Sequence, residues 1–223
     1  MQLVFVDQDG AFTTELAKLL PASPNVSYVT GDVQDVHHDK TAFVSWLNSY
    51  LFMDGGIDRV YSQKMFPGVE DSFREAVRRV GRTSKVGRTF LPIGSAVMSQ
   101  VLPTTYLIGA PTMLMPQNVS DTRNAYWATL AVLYLAERAG STETIVFPPP
   151  ACGWGKMLPR DSAHQVWWAL LDHPAGILKG TVQGTGAKTV CYLGPVYPLP
   201  EQPNYYENSE FKNISAHNIT RSR

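Results

Sequence analysis

Short runs rich in β-branched and aromatic residues alternate with longer stretches of helical period from the first residues onward. Leu3 to Val6 leads into AFTTELAKLL, NVSYVT follows, and GSAVMSQV, TYLIGAPTM and TIVF come later. The alternation predicts an α/β fold. Three helical stretches carry end signals. In VEDSFREAVRRVG, Val69, Phe73, Val77 and Val80 recur at spacings of three and four before the stop at Gly81, so one apolar stripe is expected to lie on a sheet. DTRNAYWATLAVLYLAERAG has Asp121 as expected N-cap and Gly140 as its end, and its apolar residues go most of the way round, as in a heavily covered helix. PRDSAHQVWWALL opens with Pro159 and Asp161 and carries Val166, Trp167, Leu170 and Leu171, which are expected to face the sheet too.

With 223 residues, 44% of them hydrophobic, the chain has enough apolar material for one large domain. No repeat, heptad or linker divides it. Residues 1–173 read as one domain and 174–223 as a C-terminal extension packed on it, glycine-rich at HPAGILKGTVQGTGAK, a possible strand at KTVCYLG, and rich in proline and tyrosine beyond. The 19 basic and 19 acidic residues cancel, so no uniformly basic surface is available to hold a DNA backbone. Cys152 and Cys191 are not spaced as a zinc site or a disulfide framework, which fits a reducing compartment. No secretory signal pattern opens the chain and no apolar run approaches the roughly 18 residues that cross a bilayer, so a cytoplasmic or nuclear location is expected, with no membrane partner. The Asn-x-Ser/Thr triplets at Asn25, Asn118, Asn213 and Asn218 then lack a glycosylation context.

Three glycine-containing turns follow strand-like runs, where backbone amides can receive phosphate oxygens. SYVT ends in Gly31-Asp32, NSYLFMD leads to Gly55-Gly56 at a helix start, and IVFPPPACGWGK sets Gly153 and Gly155 around Trp154. Taken with the GSAVMSQ strand from Gly94, YLIGAPTM, and Pro159 after the last turn, these pieces stand in an order that resembles the macro domain family. The resemblance runs from about Asn25 to Leu171.

It implies a three-layer α/β/α fold with a central mixed sheet and helices on both faces, and binding of ADP-ribose or an ADP-ribosylated protein. By resemblance Asp32, with Val33 beside it, accepts the adenine amino group. Gly55, Gly56 and Ile57 form the loop around the diphosphate and distal ribose, and Cys152, Gly153, Trp154 and Gly155 the second phosphate loop. Asn48 and Asp58 correspond to the pair that positions the distal ribose and a water in the hydrolytic branch, so hydrolysis of ADP-ribosyl linkages is implied as the activity. Neither metal nor cofactor is called for. The chain departs from the family at Ser45, where an earlier asparagine often stands, and at Met53-Asp54 before the glycine pair. A reader of ADP-ribose without turnover, or a structural or assembly protein that has kept the fold and lost the ligand, remain alternatives.

Other chemistries have less support in the residues. GTGAKT (184–189) has Ala187 where a P-loop needs glycine and precedes a strand instead of following one. His37-His38 with Asp35 and Asp39 lack further ligands at a metal-site spacing and read as solvated loop residues. Cys152 has no assignable histidine partner for a nucleophile, and His164 reads as a helix surface residue. Trp167-Trp168 read as packing plus a half-exposed ring, and Tyr205-Tyr206 as surface aromatics.

Overall fold

The computed structural model describes residues 1–36, 40–84, 87–173, 181–186 and 188–194. In chain order they form β1 (Gln2–Asp7), α1 (Ala11–Leu19), β2 (Val26–Thr30), β3 (Thr41–Asn48), α2 (Gly56–Val60), α3 (Val69–Val80), β4 (Arg82–Thr83), β5 (Thr89–Phe90), β6 (Ala96–Leu102), β7 (Thr105–Met113), α4 (Asn124–Ala139), β8 (Thr144–Phe147), α5 (Pro159–Asp172), β9 (Thr181–Gly186) and β10 (Thr189–Leu193). His37-His38 with Asp39, Ala187 and Tyr205-Tyr206 lie outside the described residues.

Among these residues, eight strands make one sheet in the order β2-β1-β8-β3-β7-β6-β10-β9, and β4-β5 form a separate small pair. The pairs from β2 to β7 are parallel and those from β7 to β9 antiparallel, so the sheet is mixed. Side chains of a strand point alternately to its two faces, and here both faces are buried. Phe5, Ala42, Val44, Trp46, Ile108, Ile145 and Phe147 pack with α1, α4 and α5. Val4, Val6, Phe43, Leu47, Leu107 and Val146 pack with α3 and Tyr61. The fold is therefore three-layer α/β/α. All eight residues of β3 are buried, as suits a central parallel strand.

In α3, Val69, Phe73 and Val77 are buried, and Gly81 follows the last turn. Helix α4 buries ten of its sixteen residues and ends at Gly140 in the left-handed conformation. Its start differs from the expectation. Asp121 lies in a turn closed by Thr122 N–H onto the Val119 carbonyl at 3.1 Å, and the helix begins three residues later, with Arg123 in the cap position. Gln165 of α5 fixes that start, accepting from Tyr126 N–H at 3.0 Å and donating to the Thr122 carbonyl at 2.7 Å. Helix α5 lies beside α1 and α4, burying Ala163, Val166 and Ala169 in the shared core with Trp167 and Leu170 packed against it, but Leu171, expected against the sheet, faces solvent like Trp168. Strand β10 adds to the main sheet beside β6.

Candidate functional site

Strands β2, β1, β8, β3 and β7 are parallel neighbours, so the loops that leave their C-terminal ends open on one edge of the sheet. Ligand sites of open α/β sheets form at such edges. The segments singled out in the sequence leave three of these ends: Asp32 after β2, the 148–155 loop after β8, and the 49–57 loop after β3.

Asn48 ends β3 and ties the loop that follows it. Its Oδ1 accepts from Tyr50 N–H at 3.0 Å and Phe52 N–H at 3.4 Å, and its Nδ2 donates to the Phe52 carbonyl at 2.9 Å. Those bonds hold Leu51 at φ 63°, a conformation unusual for a residue with a β-carbon. The chain then passes Gly55 and turns into α2 at Gly56, which has φ 54°. Met53 is fully buried and Asp54 is exposed.

The loop after β8 is closed by its own backbone: Lys156 N–H donates to the Gly153 carbonyl and Met157 N–H to the Ala151 carbonyl, both at 3.1 Å. The Gly155 carbonyl accepts from Val119 N–H at 2.9 Å. A β-carbon on Gly155 would stand 2.4 Å from the Ala151 carbonyl oxygen, so only glycine fits there. Gly153 faces open space. The Cys152 thiol donates to the Pro150 carbonyl, and burial pushes its pKa up to about 11, which leaves it protonated and a poor nucleophile.

The two loops meet. Trp154 Nε1 lies 3.2 Å from where a β-carbon of Gly55 would be, and the ring is otherwise 65% exposed. A cleft of about 120 Å³ lies between them, lined by Asn48, Gly55, Gly56, Ile57, Asp58, Gly153, Trp154 and Gly155, with Trp46, Thr112 and Met113 at its walls. Among the described residues, the amides of Gly55, Gly56, Ile57, Gly153, Trp154 and Gly155 donate to no other group. Asp58, in the first turn of α2, accepts from Ser45 Oγ at 2.6 Å. Burial raises its pKa to about 7; the Ser45 bond opposes that shift, and the charges of Asp54 and Glu70 reinforce it.

No protein-family model and no curated protein matches the chain. Among solved structures, the macrodomain of Mycobacterium tuberculosis DarG is similar over 65% of this chain and 89% of its own, at 19% identity and a TM-score of 0.50. The chain has a macrodomain fold. A macrodomain of Oceanobacillus iheyensis is similar over 60% of this chain and 70% of its own (15% identity, TM-score 0.49). Thermosipho africanus DarTG in complex with ADP-ribose is similar over 76% of this chain and 50% of its own (16% identity, TM-score 0.48).

Within this macrodomain fold, Asp32 and Val33 stand apart from the cleft. Asp32 caps the 3-10 turn Val33–Asp35, with its Oδ1 accepting from Gln34 N–H at 2.9 Å and Gln34 Nε2 at 3.1 Å. Those bonds, with smaller contributions from Gln8 and Lys64, hold its carboxyl below the ordinary range. Val33 is buried with its side chain in the α3 core. Asn48 and Asp58 both line the cleft, but Asn48 bonds its own loop and Asp58 bonds Ser45.

Ser45, read in the sequence as a departure, proves to be the partner of Asp58; its position one turn of alternation from Phe43 and Leu47 was the available signal. The loop after β1 was not singled out either, yet Gln8 reaches Asp32 and buried Asp7 accepts from Phe12 N–H at 2.8 Å. Its signal was DQDG directly after an apolar strand. Phe52 and Asp54 also line a larger cleft of about 710 Å³. Its arginines and acids are mixed, with Arg74 paired to Glu70 and lying 4.6 Å over the Phe52 ring. Residues whose amides are partnerless line the smaller cleft, and backbone amides of that kind can receive phosphate oxygens.

Proposed function

We propose that the chain binds an ADP-ribosyl group and hydrolyses its link to an acceptor side chain. The observation that carries this reading is the meeting of the 55–57 and 153–155 loops around one cleft, with six partnerless amides and Asp58 in its wall. The amides of Gly55 to Ile57 and Gly153 to Gly155 receive the diphosphate, supplying positive potential in a chain with no net charge. Asp32 receives the adenine amino group at the β2 end of the same sheet edge. At the distal ribose, Asp58 Oδ2 takes a proton from a water whose oxygen bonds to the anomeric carbon. The bond from that carbon to the acceptor carboxylate breaks, and its electron pair leaves on the carboxylate. A carboxyl with a pKa of about 7 is matched to this exchange at neutral pH.

Binding without turnover is favoured by one observation: Asn48 uses its amide on the Tyr50–Phe52 backbone. Titration calorimetry with ADP-ribose tests binding, and release of ADP-ribose from a protein modified on acidic side chains tests hydrolysis. Asp58→Ala should lower release by roughly 10²-fold or more while binding of free ADP-ribose falls much less. Binding without release would leave the reader function, and no binding would remove both.

A further inference from the structure

Ser45 stands between Phe43 and Leu47 on the face of β3 that α3 covers, and it is fully buried. A hydroxyl in such surroundings is costly unless hydrogen-bonded, and this one is bonded to Asp58 Oδ1 at 2.6 Å. Asp58 Oδ2 has no partner among the described residues, and Asp58 lines the cleft. One carboxyl oxygen is thus tied to the central strand of the sheet and the other is free.

We propose that Ser45 is a positioning residue for Asp58: its hydroxyl pins one carboxyl oxygen to β3, so that the other is held for proton transfer in the cleft. This rests on the reading of Asp58 as proton acceptor given above. A hydroxyl suits the task because it is a neutral donor. It donates to Oδ1 of the carboxylate and goes on donating to Oδ1, then the carbonyl oxygen, when the proton sits on Oδ2, so the pair stays bonded whether or not the proton has moved.

The groups facing Asp58 come from several elements. Asp54 of the preceding loop and Glu70 of α3 disfavour its charge, Glu70 being itself paired with Arg74, while Ser45 of β3 favours it. The Tyr61 hydroxyl, buried without a partner, feels the charges of Asp58 and Asp32. Burial is the largest influence on the Asp58 carboxyl, and the Ser45 hydrogen bond is what opposes it.

Titration of the Asp58 carboxyl carbon by 13C NMR in the full chain tests the assignment. The wild-type midpoint is expected at about 7. Ser45→Ala should raise it by about one to two pH units, the effect of losing a hydrogen bond to a charged group. Ser45→Thr, which keeps the hydroxyl, should restore it. A packing role alone would lower the melting temperature and leave the midpoint in place, and that result would overturn the proposal. If Ser45→Ala does not fold, Ser45→Cys, with a weak donor of similar size, is read the same way. The pH profile of ADP-ribose release should move with the midpoint. A moved midpoint with no release from wild type counts against the hydrolytic function and not against the pairing.

Discussion

Ser45 and Asp58, thirteen positions apart, are joined by a 2.6 Å hydrogen bond from the central strand to the first turn of α2. The bond supports a carboxyl that burial has moved from the ordinary 3.8 to about 7, so the folded chain holds this proton more tightly than the unfolded chain. The stability tied to that proton is full below about pH 4 and is lost as pH rises through about 7, at most about 4 kcal/mol. Asp7 and Glu70 shift the same way and Asp32 the opposite way, so the comparison must be with Asp58→Asn, which cannot titrate. Thermal unfolding at pH 5 and pH 8 should show the wild type losing more stability than the variant. Parallel curves would mean that Asp58 is ionised at pH 5.

Asp32 is held ionised and can only accept hydrogen bonds, which favours the adenine 6-amino group over the guanine 6-oxo group. ADP-ribose should therefore bind more tightly than GDP-ribose. Asp32→Ala should weaken ADP-ribose binding by roughly 1–3 kcal/mol. Because Asp32 also caps the Val33–Asp35 turn, Asp32→Asn is the cleaner probe: its amide oxygen keeps the cap while its amide group removes the base preference. Calorimetry with both ligands checks this, and an unchanged preference in Asp32→Asn takes Asp32 out of the site.

Two glycines of one loop should respond in opposite ways. A side chain at Gly153 enters open space, whereas one at Gly155 meets the Ala151 carbonyl at 2.4 Å. Gly153→Glu should keep the wild-type melting temperature and abolish ADP-ribose binding, since an acidic group would stand where the phosphates belong. Gly155→Ala should cost roughly 1–3 kcal/mol of stability, the scale of overpacking. A ligand-induced melting shift retained in Gly153→Glu would show that the phosphates bind elsewhere.

Trp154 lies against Gly55 in the wall of the small cleft, and about 120 Å³ is too little for a whole ADP-ribose. If the diphosphate seats between the two loops, the indole is expected to swing aside as it enters. Trp154→Ala should raise the association rate constant for ADP-ribose in stopped-flow mixing, and raise the dissociation rate constant too because the cover is gone. An association rate equal to the wild type's would mean that the ring does not gate entry.

The α/β class, the helices that became α3 and α5, and the order of the three glycine turns were legible because each rests on neighbours in sequence: a period of 3.6 or 2, a glycine stop, a proline at a first turn. The start of α4 was not. Asp121 has the chemistry of a cap, yet Gln165, far along the chain, bonds the Tyr126 amide and the Thr122 carbonyl and begins the helix at Asn124.

The candidate site divides the same way. That glycine loops follow β3 and β8 is written in the chain, because a turn into a helix needs glycine wherever backbone or ligand approaches closely. That Trp154 rests on Gly55 is set by the order of the parallel strands, which places β8 beside β3 across about a hundred residues of chain, while Asn48 spending its amide on its own loop and Asp58 pairing with Ser45 are set by how the segment after β3 folds back on that strand. The raised Asp58 pKa belongs to the second kind as well: a carboxylate's charge is disfavoured by the water it loses, and only packing against β3 and α3 decides how much water that is.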